Sequence, residues 1–444
     1  MIQKQKAYSE ECKQMSEELG HMTIRTSPLT IGIFCKYADH IKRAIFKKGK
    51  GWLLLFGTLL LLNACSKEQE IALTGAKELT MTLSKNKRKL LLTVMTTEKD
   101  SGGYSTATGS SDLPITVSTL KELKSAFQNG NHHILVNGKI SGGPVPLTFL
   151  FATTNWNNTT ISGVTGSGAA LENIQLKFDG ELLAPGMNIE NIIVNNISFN
   201  GDIASLQVLP PSETDINVPG NHSGVNYVGV SFRRCTNVTF DHCAVYDISD
   251  DLWCVTLASD NITVSNCHFY FTADWLNMKP NPNWNWVGTS HPLADERIAA
   301  VIGYCPEDSY SYGIQKLHVT IHDNWFGPLL KGRPLCRGYV HFYNNYFDNS
   351  VPGSSQYDAI QIGSGAKVFS ESNYFDQTNK TNKVYMDDKI HQSYTFCERK
   401  NIYKTNSIGA VGDAWPDSLV VPYHYNLVEG SEIPGIVTAN AGPH

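Results

Sequence analysis

A chain of 444 residues with 41% hydrophobic and 17% charged residues has globular composition, and it is long enough for one large domain or two ordinary ones. Its formal charge of −5 excludes a general nucleic-acid binder, which needs a broad basic face. A polyanionic partner would have to be met by a local cationic patch.

In chain order, HIKRAIFKKGKG (His40 to Gly51) supplies cations and WLLLFGTLLLL (Trp52 to Leu62) is an apolar run. That run is too short for a bilayer-spanning helix, which needs about 20 residues. A basic stretch followed by a short apolar core reads as a signal peptide. Leu62-Asn63-Ala64-Cys65 resembles a bacterial lipobox, in which Cys65 is lipidated and becomes the mature N-terminus. On this reading residues 1–65 are a signal region and the only membrane contact is the lipid. The protein then belongs to a diderm cell envelope, anchored to the outer membrane on its periplasmic or surface face, or is secreted. The long stretch ahead of the signal implies a start codon downstream of Met1. Residues 66–110, rich in Lys, Thr, Ser and Gly, read as a flexible tether. The folded domain is expected over 111–444.

Beyond Cys65 stand Cys235, Cys243, Cys254, Cys267, Cys305, Cys336 and Cys397, an odd number at irregular spacing. That is not a disulfide framework, and with no Cys-x-x-Cys pair a zinc site is not expected.

The stretch from Ile115 to Ile140 predicts a short amphipathic helix, with Leu120, Leu123 and Phe127 on one face, followed by a strand. Six later segments share one nine-residue pattern: NIIVNNISF from Asn191, NVTFDHCAV from Asn237, NITVSNCHF from Asn261, HVTIHDNWF from His318, YVHFYNNYF from Tyr339 and KVFSESNYF from Lys367. Alternation of apolar and polar residues marks each as a strand with one buried face. Their starts lie 46, 24, 57, 21 and 28 residues apart, so the short intervals suit one solenoid turn and the long ones a turn plus insertions, or two turns. Solenoid turns stack like on like about 4.8 Å apart. The seventh position then reads Ile197, Cys243, Cys267, Asn324, Asn345, an inward column whose asparagines can satisfy one another. Cys243 and Cys267 are expected as buried free thiols, although their spacing also allows a disulfide. The predicted fold is all-β: a single-stranded parallel β-helix whose open N-terminal end is capped by the short helix.

KGRPLCRGYVHFYNNYF (Lys331 to Phe347) crowds Lys331, Arg333 and Arg337 together, which costs stability unless water or a bound anion relieves the repulsion. With TTISGVTGSGA (Thr159 to Ala169), the repeats and HVTIHDNWFG, this order of motifs resembles polysaccharide lyase family 1, the pectate and pectin lyases. The similarity runs from about Ile115 to Phe375. It implies a right-handed β-helix with a substrate groove on one flank, and cleavage of α-1,4-polygalacturonate, the homogalacturonan of pectin, by β-elimination. It also implies Ca²⁺ bridging sugar and protein carboxylates.

Carried over by the resemblance, Arg333 falls on the catalytic arginine and Arg337 on the one that grips the substrate carboxylate. The loop is two residues shorter than usual, and aligned without a gap from YVHFYNN, Lys331 takes the catalytic place instead. Asp241 matches the first calcium aspartate and Asp250 the second, while Cys254 stands where a third acid is expected. A thiol is a poor ligand for a hard cation. Asp251, with Asp247 close by, leaves a rearranged site open. In the insertion TADWLNMKPNPNWNWVGTSHPLADER, Trp275, Trp284 and Trp286 either stack on sugars or pack on the solenoid. Lys279 or Arg297 would reach a uronate carboxylate, with Arg297 standing in for a family lysine.

The primary expectation is therefore an extracytoplasmic pectate lyase-like enzyme acting as a monomer on a pectic polysaccharide, with no nucleic-acid partner. The alternatives are a calcium-independent pectin lyase and a catalytically inactive glycan-binding β-helix lipoprotein. A hydrolase resembling the polygalacturonases is disfavoured, because their Asn-Thr-Asp, Gly-His-Gly and Arg-Ile-Lys motifs do not occur.

Overall fold

The protein is seen in a computed structural model that describes residues 102–208, 227–277, 298–305, 308, 317–330, 332, 334–351, 358–377, 380–384, 394–405, 407, 415 and 421–444. The signal region, the lipobox at Cys65 and residues 66–101 of the expected tether lie outside the described residues.

Among the described residues, three parallel sheets of ten, nine and eight strands form a parallel β-helix, as the repeats predict, and it is right-handed, as the resemblance implies. Each coil contributes one strand to sheet A, one to sheet B and one to sheet C. Cys235–Asp241, Ala244–Tyr246 and Trp253–Thr256 are one such coil. Consecutive repeats are adjacent in sheet A: Ile189–Asn195, Cys235–Asp241, Asp260–Ser265, His318–His322, Tyr339–Tyr343 and Lys367–Glu371. The long intervals are therefore one turn plus an insertion, not two turns.

The pattern is explained position by position. The leading Asn191, Asn237 and Asn261 adopt left-handed backbone (φ 61°, 58° and 55°), which asparagine tolerates better than most residues. The sixth position turns the chain from sheet A to sheet B, again with positive φ, as at Asn196, His242, Asn266, Asp323 and Asn344. The seventh points inward. Asn324 donates through Nδ2 to Asn345 Oδ1 (3.0 Å), Asn345 through Nδ2 to Asn373 Oδ1 (2.9 Å), and the ladder continues to Asn401. Cys243 and Cys267 are buried and free, so the thiol expectation holds. The ninth position fills the core of sheet B, where Phe326, Phe347 and Phe375 stack face to face at 4.7 Å.

The helix Leu120–Gln128 forms where predicted. Thr119 and Glu122 make a reciprocal capping box, satisfying amides at the helix start. Phe127 stacks on Trp156 (4.9 Å) and meets Phe151 edge-on (5.1 Å), closing the end of the Phe151–Phe178–Phe232 column.

One expectation is corrected. Residues 102–110, assigned above to the tether, lie across the outer face of sheet A. The backbone N–H of Tyr104 donates to Thr320 Oγ1, of Ser105 to Thr263 Oγ1, of Thr106 to Asn237 Oδ1, of Thr108 to Asn191 Oδ1 and of Ser110 to Thr160 Oγ1. The strap thus crosses five strands. Residues 421–428 cover the far part of the same face, with Tyr423 and Tyr425 over the buried His341–Glu371 pair. The helix Ile433–Asn440 packs Ile433 and Val437 against Tyr346, Trp325 and Tyr374 on sheet B.

Candidate active site

The strap lies on sheet A, and the C-terminal helix packs on three strands of sheet B, at Trp325, Tyr346 and Tyr374. The connections 201–229, 271–299, 327–334 and 349–357 all join a sheet B strand to a sheet C strand, so their described ends lie at one edge of sheet C. The A-to-B turns, by contrast, are mostly two residues long.

On sheet C, inward residues build the core and their neighbours face out. Leu176 and Phe178 pair in register with Val230 and Phe232, and these with Trp253 and Val255, all essentially unexposed. The outward row reads Lys177 and Asp179, then Ser231 and Arg233, then Cys254 and Thr256. Asp179 takes ion pairs from Lys177 and from Arg233 Nε, both at 3.0 Å, and Glu181 holds Arg233 Nη2. Burial works against ionising Asp179, but Arg233 and Lys177 outweigh it and hold the carboxyl below its usual range. Ser231 Oγ and Cys254 Sγ are 3.1 Å apart. Burial pushes the Cys254 thiol up to about 12, so it is neutral at physiological pH.

The structure does not bring the three expected metal ligands together. Asp250 and Asp251 stand just ahead of the sheet C strand Trp253–Thr256, and both contribute to the electrostatics at Cys254. Asp241 instead ends a sheet A strand, a whole sheet B strand away along the coil. Its carboxylate accepts hydrogen bonds from His242 Nδ1 (2.6 Å), Ser265 Oγ (2.6 Å) and Asn266 Nδ2 (3.0 Å). Burial opposes its charge, but these three donors lower its pKa below the usual carboxylate range. These bonds make Asp241 a tie at the A-to-B turn, away from the connection that carries Asp250 and Asp251. The acid that does share a connection with Asp250 and Asp251 is Asp247, in left-handed backbone (φ 53°) and 3% exposed. Its oxygens accept from the backbone N–H and the hydroxyl of Thr272 (2.9 and 2.7 Å). Burial, with Asp274 nearby, pushes it up to about 6.

Arg337 is 6% exposed and sits at a C-to-A corner. Its Nη1 donates to Gly303 O (2.8 Å), and its charge acts on buried Asp308, which accepts from the backbone N–H of Leu257 and Ala258. These contacts make it a brace of that corner. Trp275 is fully buried against Phe271, so it packs on the solenoid. Arg333, Lys331, Lys279, Arg297, Trp284 and Trp286 lie outside the described residues. Of the sequence neighbours of Arg333, Gly332 accepts from Ala299 N–H (3.1 Å) and Pro334 from Gln361 N–H (2.9 Å), both at sheet C.

A stack of parallel coils whose long connections lead from sheet B into sheet C defines the class: a right-handed parallel β-helix. The sequence model of the family described as Pectate lyase matches residues 90–444, and the chain belongs to that family. A probable pectate lyase of Arabidopsis thaliana is 26% identical over 269 residues, covering 58% of this chain and 58% of the relative. A pectin lyase of Bacillus subtilis is 28% identical over 213 residues, covering 45% of this chain and 50% of its own. The chain thus spans only about half of the length of these curated relatives. A Bacillus pectate lyase solved with trigalacturonate superposes with a TM-score of 0.51 at 20% identity, covering 77% of this chain and 98% of the other, and so shares the fold.

Proposed function

We propose that this protein is a polysaccharide lyase that cleaves α-1,4-linked polygalacturonate, or its methyl ester, by β-elimination. Membership of the pectate lyase family over residues 90–444 carries the reading. The long connections that lead from sheet B into sheet C support it. In the reaction a base removes the proton on C5, its electrons form the C4–C5 double bond, the C4–O bond breaks, and the leaving oxygen takes a proton. The base in this reading is Arg333, or Lys331 if the shortened loop shifts the register. A guanidinium accepts a proton only when deprotonated, so the rate should climb into the alkaline range. Lys279 and Arg297 are the proposed grips on uronate carboxylates, because a cation in the insertion can reach a substrate lying along sheet C.

The chain is further proposed to reach the cell envelope through a lipid on Cys65, on the strength of Leu62-Asn63-Ala64-Cys65. Cys65→Ala should then move the protein from the membrane fraction to the soluble one.

The test of the enzyme is ultraviolet absorbance of the unsaturated product on polygalacturonate and on highly esterified pectin. Absorbance should grow with the native chain and be lost in Arg333→Ala while polymer binding persists. New reducing ends without absorbance would make it a hydrolase, and binding without any cleavage would make it a lectin-like module.

A further inference from the structure

The family resemblance brings calcium to this groove, and a calcium ion takes about six to eight oxygen ligands. The described residues around Asp250 and Asp251 do not fit it. The pairing of Val230 with Trp253 continues backward, so Tyr227 and Val228 lie in the coil below Asp250 and Asp251. Tyr227 is buried with its hydroxyl turned to Asn173 Oδ1 (3.4 Å), and Val228 has no oxygen in its side chain. The pairing of Trp253 with Ala300 places Ile298 above Asp251, where Leu252 N–H donates to Ile298 O (3.0 Å). On the strand itself Cys254 offers sulfur, hydrogen-bonded to Ser231. Asp247 has both oxygens engaged by Thr272.

We infer that this groove works without calcium: its floor is self-neutralised, Lys177 and Arg233 against Asp179 and Glu181, and Asp250 and Asp251 have no metal bridge to the substrate. The inference rests on sheet C being the substrate groove.

The test is the thermal midpoint of the purified full chain in calcium chloride and in chelator, run beside the absorbance assay on both polymers under the same two conditions. The midpoint of the native chain should not move with calcium. Activity should survive chelator. A second protein, Val228→Asp combined with Cys254→Asp, restores two oxygen donors around Asp250 and Asp251 and should gain a calcium-dependent rise of at least about 2 °C. A calcium-dependent rise in the native chain, or activity abolished by chelator, overturns the inference. The native arms decide the matter even if the double variant does not fold. Absence of cleavage on either polymer sinks the lyase reading, while the midpoint still reports whether calcium is bound.

Discussion

Replacing Asn345 with alanine tests whether the inward asparagine ladder holds the coils in register. Asn345 is fully buried. Its Nδ2 donates to Ile321 O (2.8 Å), Tyr343 O (3.1 Å) and Asn373 Oδ1 (2.9 Å), and its Oδ1 accepts from Asn324 N–H (3.1 Å) and Nδ2 (3.0 Å). Not all of these losses weigh equally. Asn324 Nδ2 keeps Val264 O and His322 O, Tyr343 O keeps the N–H of Asp323, and Asn373 Oδ1 keeps the backbone N–H of Asn345. The backbone N–H of Asn324 loses its only side-chain acceptor inside the helix. A buried orphaned donor costs about 1–3 kcal/mol, and the remaining lost bonds and the small void add about another 1. The expected cost is about 3 kcal/mol, read as a lower midpoint in guanidinium and as faster amide exchange at residues 320–326. Asn345→Asp keeps the shape but turns a donor into an acceptor facing Ile321 O and Asn373 Oδ1. At neutral pH it should cost at least as much as alanine, and part of the loss should return on acidification. A native-like midpoint for Asn345→Asp at pH 7 would refute the argument that donation along the column matters.

Two further outcomes follow from the same fold. His268 stacks between Trp325 (3.9 Å) and Tyr270 (4.1 Å), bonds Gly327 O through Nε2 (2.7 Å), and burial pushes its pKa down to about 4. A folded pKa below the unfolded value of about 6.5 means that stability is lost as pH falls from about 6.5 toward 4, by at most about 3 kcal/mol. Acid titration of the midpoint should show that loss, and His268→Gln should flatten it. Asn191 combines left-handed backbone with acceptance of two strap amides, Thr108 N–H (2.7 Å) and Gly109 N–H (3.0 Å). Asn191→Ala should cost about 2 kcal/mol and open residues 102–110 to protease, whereas Asn191→Gly should recover the backbone share of about 1. Equal costs for alanine and glycine would show that the backbone carries none of the effect.

What was legible in the sequence depended on which corner of the coil a residue occupies. The A-to-B turn keeps a nearly constant length, so Cys243, Cys267, Asn324 and Asn345 could be aligned by eye and stack as expected. The ladder even runs on through Asn373 and Asn401, the first of which is the seventh residue of the last repeat. The strap was missed for a compositional reason. It docks through backbone N–H groups donated to Thr and Asn side chains, so nothing apolar in Tyr104–Ser110 beyond Tyr104 itself marks it as bound.

The site was harder to read because it lies on the B-to-C corner, where insertions shift the count from coil to coil. Asp241 and Asp247 are both acids a few residues before Asp250, and spacing alone cannot tell which corner each will reach. The turn at His242 and Cys243 decides it: everything before that turn belongs to sheet A, and everything after Tyr246 belongs to the edge of sheet C. The same logic weighs against a metal role for Asp250 and Asp251. A hard cation needs oxygens from neighbouring coils at one corner, and register puts Val228 below that corner and Ile298 above it. A carboxylate pair can sit anywhere along a sequence. On a β-helix it becomes a metal site only if the coils on either side supply oxygen at the same position, and among the described residues the side chains that register places there, Val228 and Ile298, are hydrocarbon.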